Sequence, residues 1–336
     1  MSDSGSDSHV ESRAARGNGS HPDLSVIIST RNRARILEKT LDSLAGQIIG
    51  DLCWEVIAVD NGSTDDTPAV LDRARANLPL VALREDRPGK NIALNRAIKR
   101  ARGSLWAFTD DDIRFSPQWA AGLFAASERW PQCAIFGGPV EPLFPEGTEE
   151  WIKNHPFAND AFSRFHPNRE EGPIAKDDPI VPFGSNLAVR AGAMAGTRFC
   201  ETIGPQGKNY AMGSETELLR RLRARGERFV YIPAVQVEHW IRNEQVTAQW
   251  MFGRSFRAGR SQVRLGSEGH SDWPILFGAP RFLWRQLVAT WTDFHCLSFF
   301  RGWRAHFDAG LRYHQVRGWL YEYRLMIREN REKSAM

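Results

Sequence analysis

Between residues 24 and 115, short apolar runs alternate with stretches whose apolar positions recur at helical spacing. Leu24 to Ser29 is rich in β-branched residues and predicts a strand; Arg35 to Gln47 follows, with Leu37, Leu41, Leu44 and Ile48 spaced for one helix face. Trp54 to Val59 predicts a second strand, which runs through Asp60-Asn-Gly-Ser-Thr-Asp-Asp66 into a helix carrying Val70, Leu71 and Ala74. A third strand near Leu80 to Leu83 leads through Arg87-Pro-Gly89 to a helix with Leu94, Ala97, Ile98 and Ala101 on one side and Gly103 as its stop. The fourth apolar run begins at Leu105. This rhythm predicts an α/β domain with a mostly parallel sheet flanked by helices.

The fourth run ends in three adjacent carboxylates, Asp110, Asp111 and Asp112, which strand packing does not call for. Hard oxygen ligands of this kind suit Mg²⁺ or Mn²⁺, which use one or two carboxylates and leave other positions to water and a ligand's phosphates. A solvated turn capping the next helix is the plain alternative. In open α/β sheets ligands bind beyond the carboxyl ends of the strands, and Thr30-Arg31-Asn32, Asp60-Asn61-Gly62 and Asp110 to Asp112 would share that edge. The turn after the first strand, Ser29 to Arg33, holds no glycine, so neither a dinucleotide fingerprint nor a P-loop is present. Arg31, Arg87 and Lys90 are then the local candidates for holding phosphates.

With 336 residues, 42% hydrophobic and 25% charged, the chain is of ordinary globular composition, and a net charge of +4 names no partner. Cys53, Cys133, Cys200 and Cys296 lie far apart, with neither metal-ligand spacing nor a disulfide framework, which points to a reducing compartment. Residues 1–22 are rich in Ser, Asp, Gly and Arg and lack an apolar core, so a disordered tail is expected there. No uninterrupted run of about 18 apolar residues predicts a spanning helix, and the expected location is cytoplasmic.

The runs Leu24-Ser-Val-Ile-Ile-Ser-Thr-Arg-Asn-Arg33, Val59-Asp-Asn-Gly-Ser-Thr-Asp-Asp66 and Phe108-Thr-Asp-Asp-Asp112 together resemble the inverting family-2 glycosyltransferases of GT-A fold. Gly184-Ser-Asn-Leu-Ala-Val-Arg190 is similar to that family's acceptor-side strand, and Gly213-Ser-Glu-Thr-Glu-Leu-Leu-Arg-Arg-Leu222 to the helix start that carries its base. The resemblance covers about residues 24–259. It implies a GT-A domain over 23–260, with a nucleotide-binding half to 115 and an acceptor-side half beyond, and a helical extension over 261–336. It also implies a UDP-, GDP- or dTDP-sugar donor, a saccharide or lipid-linked acceptor, and a divalent metal. Asp60 would read the nucleobase, Asp110 the ribose or metal, and Asp112 would ligate the metal, with Thr30, Arg31, Asn32, Lys90, Asn91, Asn95 and Asp111 around the nucleotide and donor sugar. Gly184, Ser185, Asn186, Glu217 and Trp240 would face the acceptor, Trp240 by stacking on a sugar ring.

Inverting transfer needs a general base on one side of the anomeric carbon and charge neutralisation on the other. The second carboxylate cluster, Ser214-Glu215-Thr216-Glu217, begins a helix with Leu218, Leu219 and Leu222 spaced for burial, and Glu215 is the candidate base. It stands where the family usually has Asp. Both glutamates serving only to favour the helix start is the structural alternative. His239 matches a histidine that completes the metal shell or contacts the diphosphate in related enzymes. Arg254, Arg257 and Arg260, set among Phe252 and Phe256, form either a helix closing over the diphosphate or a solvated basic face.

From Arg242 to the end there are 15 Lys and Arg against 8 Asp and Glu, with six of the twelve tryptophans. Interleaved Arg, Trp and Phe suit an interfacial helix on anionic lipid at the inner face of a membrane, or equally a subdomain packed on the sheet. Nucleic acid is not expected, since no recognised binding motif accompanies the basic residues. Two other functional classes fit the same residues. One is a haloacid-dehalogenase-type phosphohydrolase using Asp110 and Asp112, and the other is a non-catalytic nucleotide-sugar binding module.

Overall fold

The structure is a computed structural model, and it describes residues 21–176, 178, 181–207, 210–266 and 273–334. Apart from His21 and Pro22, the tail expected over 1–22 lies outside the described residues.

Strands β1 (Leu24–Thr30), β2 (Trp54–Asp60), β3 (Leu80–Arg84) and β4 (Leu105–Thr109) pair in parallel in the order β3-β2-β1-β4. Helices α1 (Ala34–Ala45), α2 (Thr67–Ala74) and α3 (Lys90–Ile98) make the crossovers between them. Val26, Ile27, Ile28, Val56, Ile57 and Val59 are fully buried, as expected of parallel strands covered on both faces. Helix α1 buries Leu37, Leu41 and Leu44 but stops at Ala45, which leaves Ile48 outside it and 60% exposed. Gly103 lies beyond the end of α3. A Cβ there would sit 2.5 Å from the Ser25 backbone nitrogen, so its role is to let the turn abut β1.

After β4 come β5 (Ile113–Phe115), α4 (Trp119–Arg129), β6 (Ile135–Gly137), β7 (Val140–Leu143), β8 (Gly172–Pro173), β9 (Leu187–Arg190), α5 (Ser214–Ala224), β10 (Phe229–Tyr231) and β11 (Val237–Trp240). The large sheet runs β3-β2-β1-β4-β9-β6-β10-β8, with β9 antiparallel to both of its neighbours, and a small sheet runs β5-β11-β7. The run from Phe229 to Trp240 holds two strands in two sheets. Pro233 lies between them, and a residue without an N–H cannot continue a ladder. The segment between β7 and β9 contains helical turns at Glu150–Lys153 and Ala158–Ala161 as well as β8.

The boundary expected at residue 260 falls inside helix α6 (Ala248–Gly266), which is followed by α7 (Arg281–Thr292) and the long α8 (Trp303–Ser334). Helices α6 and α8 pack backbone to backbone at glycines. A Cβ on Gly259 would lie 2.3 Å from the Gln315 carbonyl oxygen, and one on Gly318 would lie 2.1 Å from that of Phe256. Arg260 is buried beside Glu322 at 2.6 Å, so it is a packing residue and not part of a basic face. A second core of Ile152, Phe162, Ile241, Met251, Phe307 and Leu311 joins these helices to the segment after β7.

Candidate active site

The carboxyl ends of β1, β2 and β4 are level because Thr30 pairs with Asp60 and Ile28 with Thr109, so the three polar strand ends share one edge as expected. Thr40 of α1 fixes the acidic triplet, its hydroxyl donating to the Asp111 carbonyl (2.9 Å) and accepting from the Ile113 N–H (3.1 Å). Register then supplies the histidine: β5 begins at Ile113 and pairs it with His239 on β11, while the Trp240 N–H donates to the Asp112 carbonyl.

Each acid of the triplet has its own cationic partner. Arg33 Nη1 bridges Asp111 Oδ1 (2.5 Å) and Asp112 Oδ2 (2.8 Å), and His239 Nε2 lies 3.4 Å from Asp112 Oδ1. His239 Nδ1 donates to the Phe162 carbonyl at 3.2 Å, which leaves Nε2 turned towards the acid. Lys90 Nζ spans the cleft from Asp110 Oδ1 (2.6 Å) to Glu215 Oε1 (3.2 Å). Burial pushes the Asp111 carboxyl upward, against Arg33. Burial acts in the same sense on Asp112, but His239 and Arg33 outweigh it and hold that carboxylate well below the usual range. Burial opposes the charge on His239 and Lys90, yet Asp112 raises the first, and Asp110 with Glu215 raises the second.

Two glycines and an asparagine set this geometry. Asn61 donates to the carbonyls of Glu85 and Arg87 and accepts from the Gly89 N–H (2.8 Å), shaping the turn that delivers Lys90 at the start of α3. Gly213 holds φ near +100° just before α5, a backbone state that suits glycine, and so starts the helix with Glu215 turned into the cleft. Gly184 leaves room for that side chain, since a Cβ there would meet Glu215 Oε1 at 2.2 Å.

The resulting cleft, about 720 Å³, is lined by Thr30, Arg31, Lys90, Asp110, Asp111, Asp112, Gly184, Ser185, Glu215 and His239 among the expected residues. Other expected residues are placed elsewhere. Asn91 donates to the carbonyls of Cys200 and Ile203, and Asn95 to that of Phe199, so both serve to dock the 199–204 loop. Asn186 is fully buried between the carbonyls of Pro139 and Val235 and the Trp119 indole. Glu217 turns back to Arg221 one helical turn away, and the Trp240 ring faces Lys39 and lines no part of the cleft. Asn32, with φ of 51°, accepts from the Thr64 N–H, and Asp60 accepts from Ser63 and pairs with Arg84 at 3.2 Å beside the cleft. Arg87 stays on the rim with Glu85 and Glu201. Arg33 was absent from the expected set; its place two residues past Arg31 on the same strand end is the signal that could have found it.

Among the described residues no three metal-ligating side chains cluster tightly enough to cage an ion. Asp112 and His239 nonetheless present an oxygen and a nitrogen at a separation that two adjacent ligands, each about 2.1 Å from one ion, would have.

The family model for glycosyl transferase family 2 matches residues 25–197, just over half of the chain. The chain belongs to glycosyltransferase family 2. It is an enzyme of GT-A fold. The succinoglycan biosynthesis protein ExoM of Rhizobium meliloti (strain 1021) is 24% identical over 238 residues, which is 69% of this chain and 72% of that one. The glycosyltransferase AglE of Haloferax volcanii is 32% identical over 130 residues, covering 38% of this chain and 42% of the relative. Among solved structures, residues 1–349 of S. aureus TarS in complex with UDP superpose with a TM-score of 0.54 at 15% identity over 92% of each chain. The mannosyltransferase PcManGT from Pyrobaculum calidifontis, in complex with GDP-Man and Mn²⁺, gives 0.56 at 16% identity, covering 94% of this chain and 92% of the other. Membership of this family removes the phosphohydrolase and the non-catalytic module.

Proposed function

We propose that this family-2 enzyme transfers a sugar from a nucleoside-diphosphate donor to an acceptor hydroxyl with inversion, assisted by a divalent ion, in polysaccharide or glycoconjugate synthesis. The observation that carries the reading is the bridge from Asp110 through Lys90 to Glu215. It sets a base candidate across the cleft from the triplet, as in-line displacement requires. Glu215 takes the proton of the attacking hydroxyl. Lys90 lies between Asp110 and Glu215, where its charge can offset the negative charge that develops on the departing diphosphate. Asp112 and His239 would hold the ion, whose chemistry is to neutralise the leaving diphosphate. A two-ligand pair of this kind suits an ion that arrives with the nucleotide's phosphates. The nucleoside is assigned to the edge formed by Thr30, Arg31 and Asp60, whose carboxylate can exchange the exposed Arg84 for a base N–H. UDP in one structural neighbour and GDP-Man with Mn²⁺ in another support a donor of this class, and the name of ExoM supports the polysaccharide role.

The domain division proposed is a nucleotide-binding half, an acceptor-side half and a helical extension. No helix among the described residues is long and apolar enough to cross a membrane. Eleven of the thirteen exposed large hydrophobic residues among the described residues nevertheless fall between Trp273 and Trp303, with Phe277 at 75%, Phe299 at 74% and Phe300 at 85% exposure. Arg281, Arg285, Arg301 and Arg304 lie in the same stretch. That combination supports peripheral contact with anionic lipid on the cytoplasmic side, bringing the cleft to a lipid-linked acceptor.

Calorimetric titration with UDP, GDP and dTDP, each with and without Mn²⁺, tests the function. Metal-dependent binding of one nucleotide, followed by turnover of its sugar conjugate, is the expected result. No binding of any of the three would overturn the reading.

A further inference from the structure

Three arginines that line the cleft, Arg31, Arg254 and Arg257, have no ion pair among the described residues, and two of them are neighbours on one helix. Arg33, Lys90 and Arg242 each meet a carboxylate, Arg242 reaching Glu244 at 3.1 Å. Arg254 and Arg257, three residues apart on α6 and therefore on one face, have no carboxylate within ion-pair distance among the described residues. Arg254 Nη2 donates to the Asp160 carbonyl at 3.1 Å, and the Arg257 guanidinium lies over the rings of Tyr210 (5.4 Å) and Trp250 (6.0 Å). The Nε of each is buried with no hydrogen-bond partner.

A guanidinium does not escape such a site by losing its proton, and a buried N–H left without an acceptor costs free energy that an incoming oxygen would relieve. Burial pulls the charge of Arg254 below the ordinary arginine range, with the like charge of Arg257 adding to it against Tyr210. Two planar forks side by side, without an ion pair among the described residues and walled by aromatic rings, match an oxyanion bound in bidentate fashion.

Position decides which substrate brings that anion. The donor end of the cleft already has Lys90, Arg33 and the Asp112 with His239 pair. Arg254 instead feels Glu215, the proposed base, and is tied to Asp160. Asp160 lines both the catalytic cleft and a second cavity of about 730 Å³, whose wall includes Trp151, Asn154, His155 and Asp308. Aromatic, amide and carboxylate groups of that kind suit sugar rings. We propose that Arg254 and Arg257 form the receptor for an oxyanion on the acceptor, a phosphate or carboxylate near the hydroxyl to be glycosylated, with further sugars extending past Asp160 into the second cavity. This rests on the transferase reading, with Glu215 on the acceptor side.

The test is calorimetry on the full chain, first with the nucleotide that binds and then, with that nucleotide and Mn²⁺ saturating, with glucose 1-phosphate, glucuronate and glucose. The proteins compared are wild type, Arg254→Met/Arg257→Met and the charge-retaining Arg257→Lys, each checked by circular dichroism. Nucleotide affinity should stay within about threefold, while an anionic sugar that binds wild type should lose about tenfold or more in the double variant and less in the lysine variant. Glucose should bind none of them. Preference for glucose 1-phosphate assigns a lipid-phosphate acceptor, and preference for glucuronate an acidic saccharide. Loss of nucleotide affinity with the anionic probes unaffected would make the pair a donor clamp and overturn the proposal, as would failure of both anions to bind wild type. If the double variant does not fold, Arg257→Lys alone decides: undiminished anion binding overturns the proposal. Absence of nucleotide binding by wild type is a separate result that sinks the transferase reading, and the acceptor assignment with it.

Discussion

Replacing Gly184 by alanine should remove catalysis without changing Glu215, the proposed base. The new Cβ would lie 2.2 Å from Glu215 Oε1 and 2.3 Å from both its Cδ and Cγ, so the end of the side chain must retreat. Reaching an ordinary carbon contact of about 3.5 Å takes a shift of at least about 1 Å, enough to break the Lys90 bridge. Misplacing a reacting group by that much can cost about a hundredfold, and losing a general base altogether costs about 10²- to 10⁴-fold. The expected fall in kcat is therefore about a hundredfold or more, or about 2.7 kcal/mol of transition-state stabilisation at the lower end. Stability should barely change. Glycine to alanine gains about 0.4–1 kcal/mol where the backbone allows it, and a partly exposed ion pair is worth at most about 1 kcal/mol. The assay is release of nucleoside diphosphate from the turnover-competent donor, with nucleotide affinity and thermal midpoint measured alongside. Adding Glu215→Gln to Gly184→Ala should cost little more than either change alone, because both remove one function. Wild-type kcat in Gly184→Ala would refute this placement of the base, and a large loss of nucleotide affinity would show that Gly184 shapes the donor pocket instead.

Asp112→Asn, or a chelator added to the wild type, should abolish metal-stimulated nucleotide binding, whereas Glu215→Gln should keep binding and lose turnover; equal loss of binding in both would break that division of roles. Glu322, fully buried between Arg260 and Arg264, should cost about 3–5 kcal/mol in urea unfolding when changed to alanine, because two guanidinium groups lose their counter-charge; a cost below about 1 kcal/mol would contradict this. Burial, helped by Arg317 and His295, holds His314 down at about 4. The unfolded chain takes up that proton first as pH falls, so stability should decline between about pH 6.5 and 4, by roughly 1–2 kcal/mol after solvent screening. His314→Gln should flatten that slope, and an unchanged urea midpoint difference between pH 7.5 and 5 would exclude it. Phe299→Asp with Phe300→Asp should reduce flotation with vesicles rich in anionic lipid, and unaltered flotation would place lipid contact elsewhere.

The sequence by itself determined the nucleotide half. Strand and helix there are local signals: β-branched runs, four-residue apolar spacing and turn chemistry. Parallel pairing then forces Thr30, Asp60 and Asp110 to Asp112 onto one edge. It also located Glu215, because a carboxylate at a helix start is visible without knowing what the helix faces. Tertiary structure alone decided which polar residues meet the cleft. Asn91 and Asn95 sit on the helix that Lys90 begins, yet they face the 199–204 loop, since each residue turns a helix by about 100° and both therefore leave the face that Lys90 presents to the site. His239 reaches Asp112 only through the β5–β11 register, and Arg33 spans two acids from a different strand end. The arginines of α6 looked alike in sequence. Packing against α8 buried Arg260 on Glu322, while Arg254 and Arg257 have no ion pair among the described residues, because long-range pairing of charges is set by which helix faces meet and not by the residues along one helix.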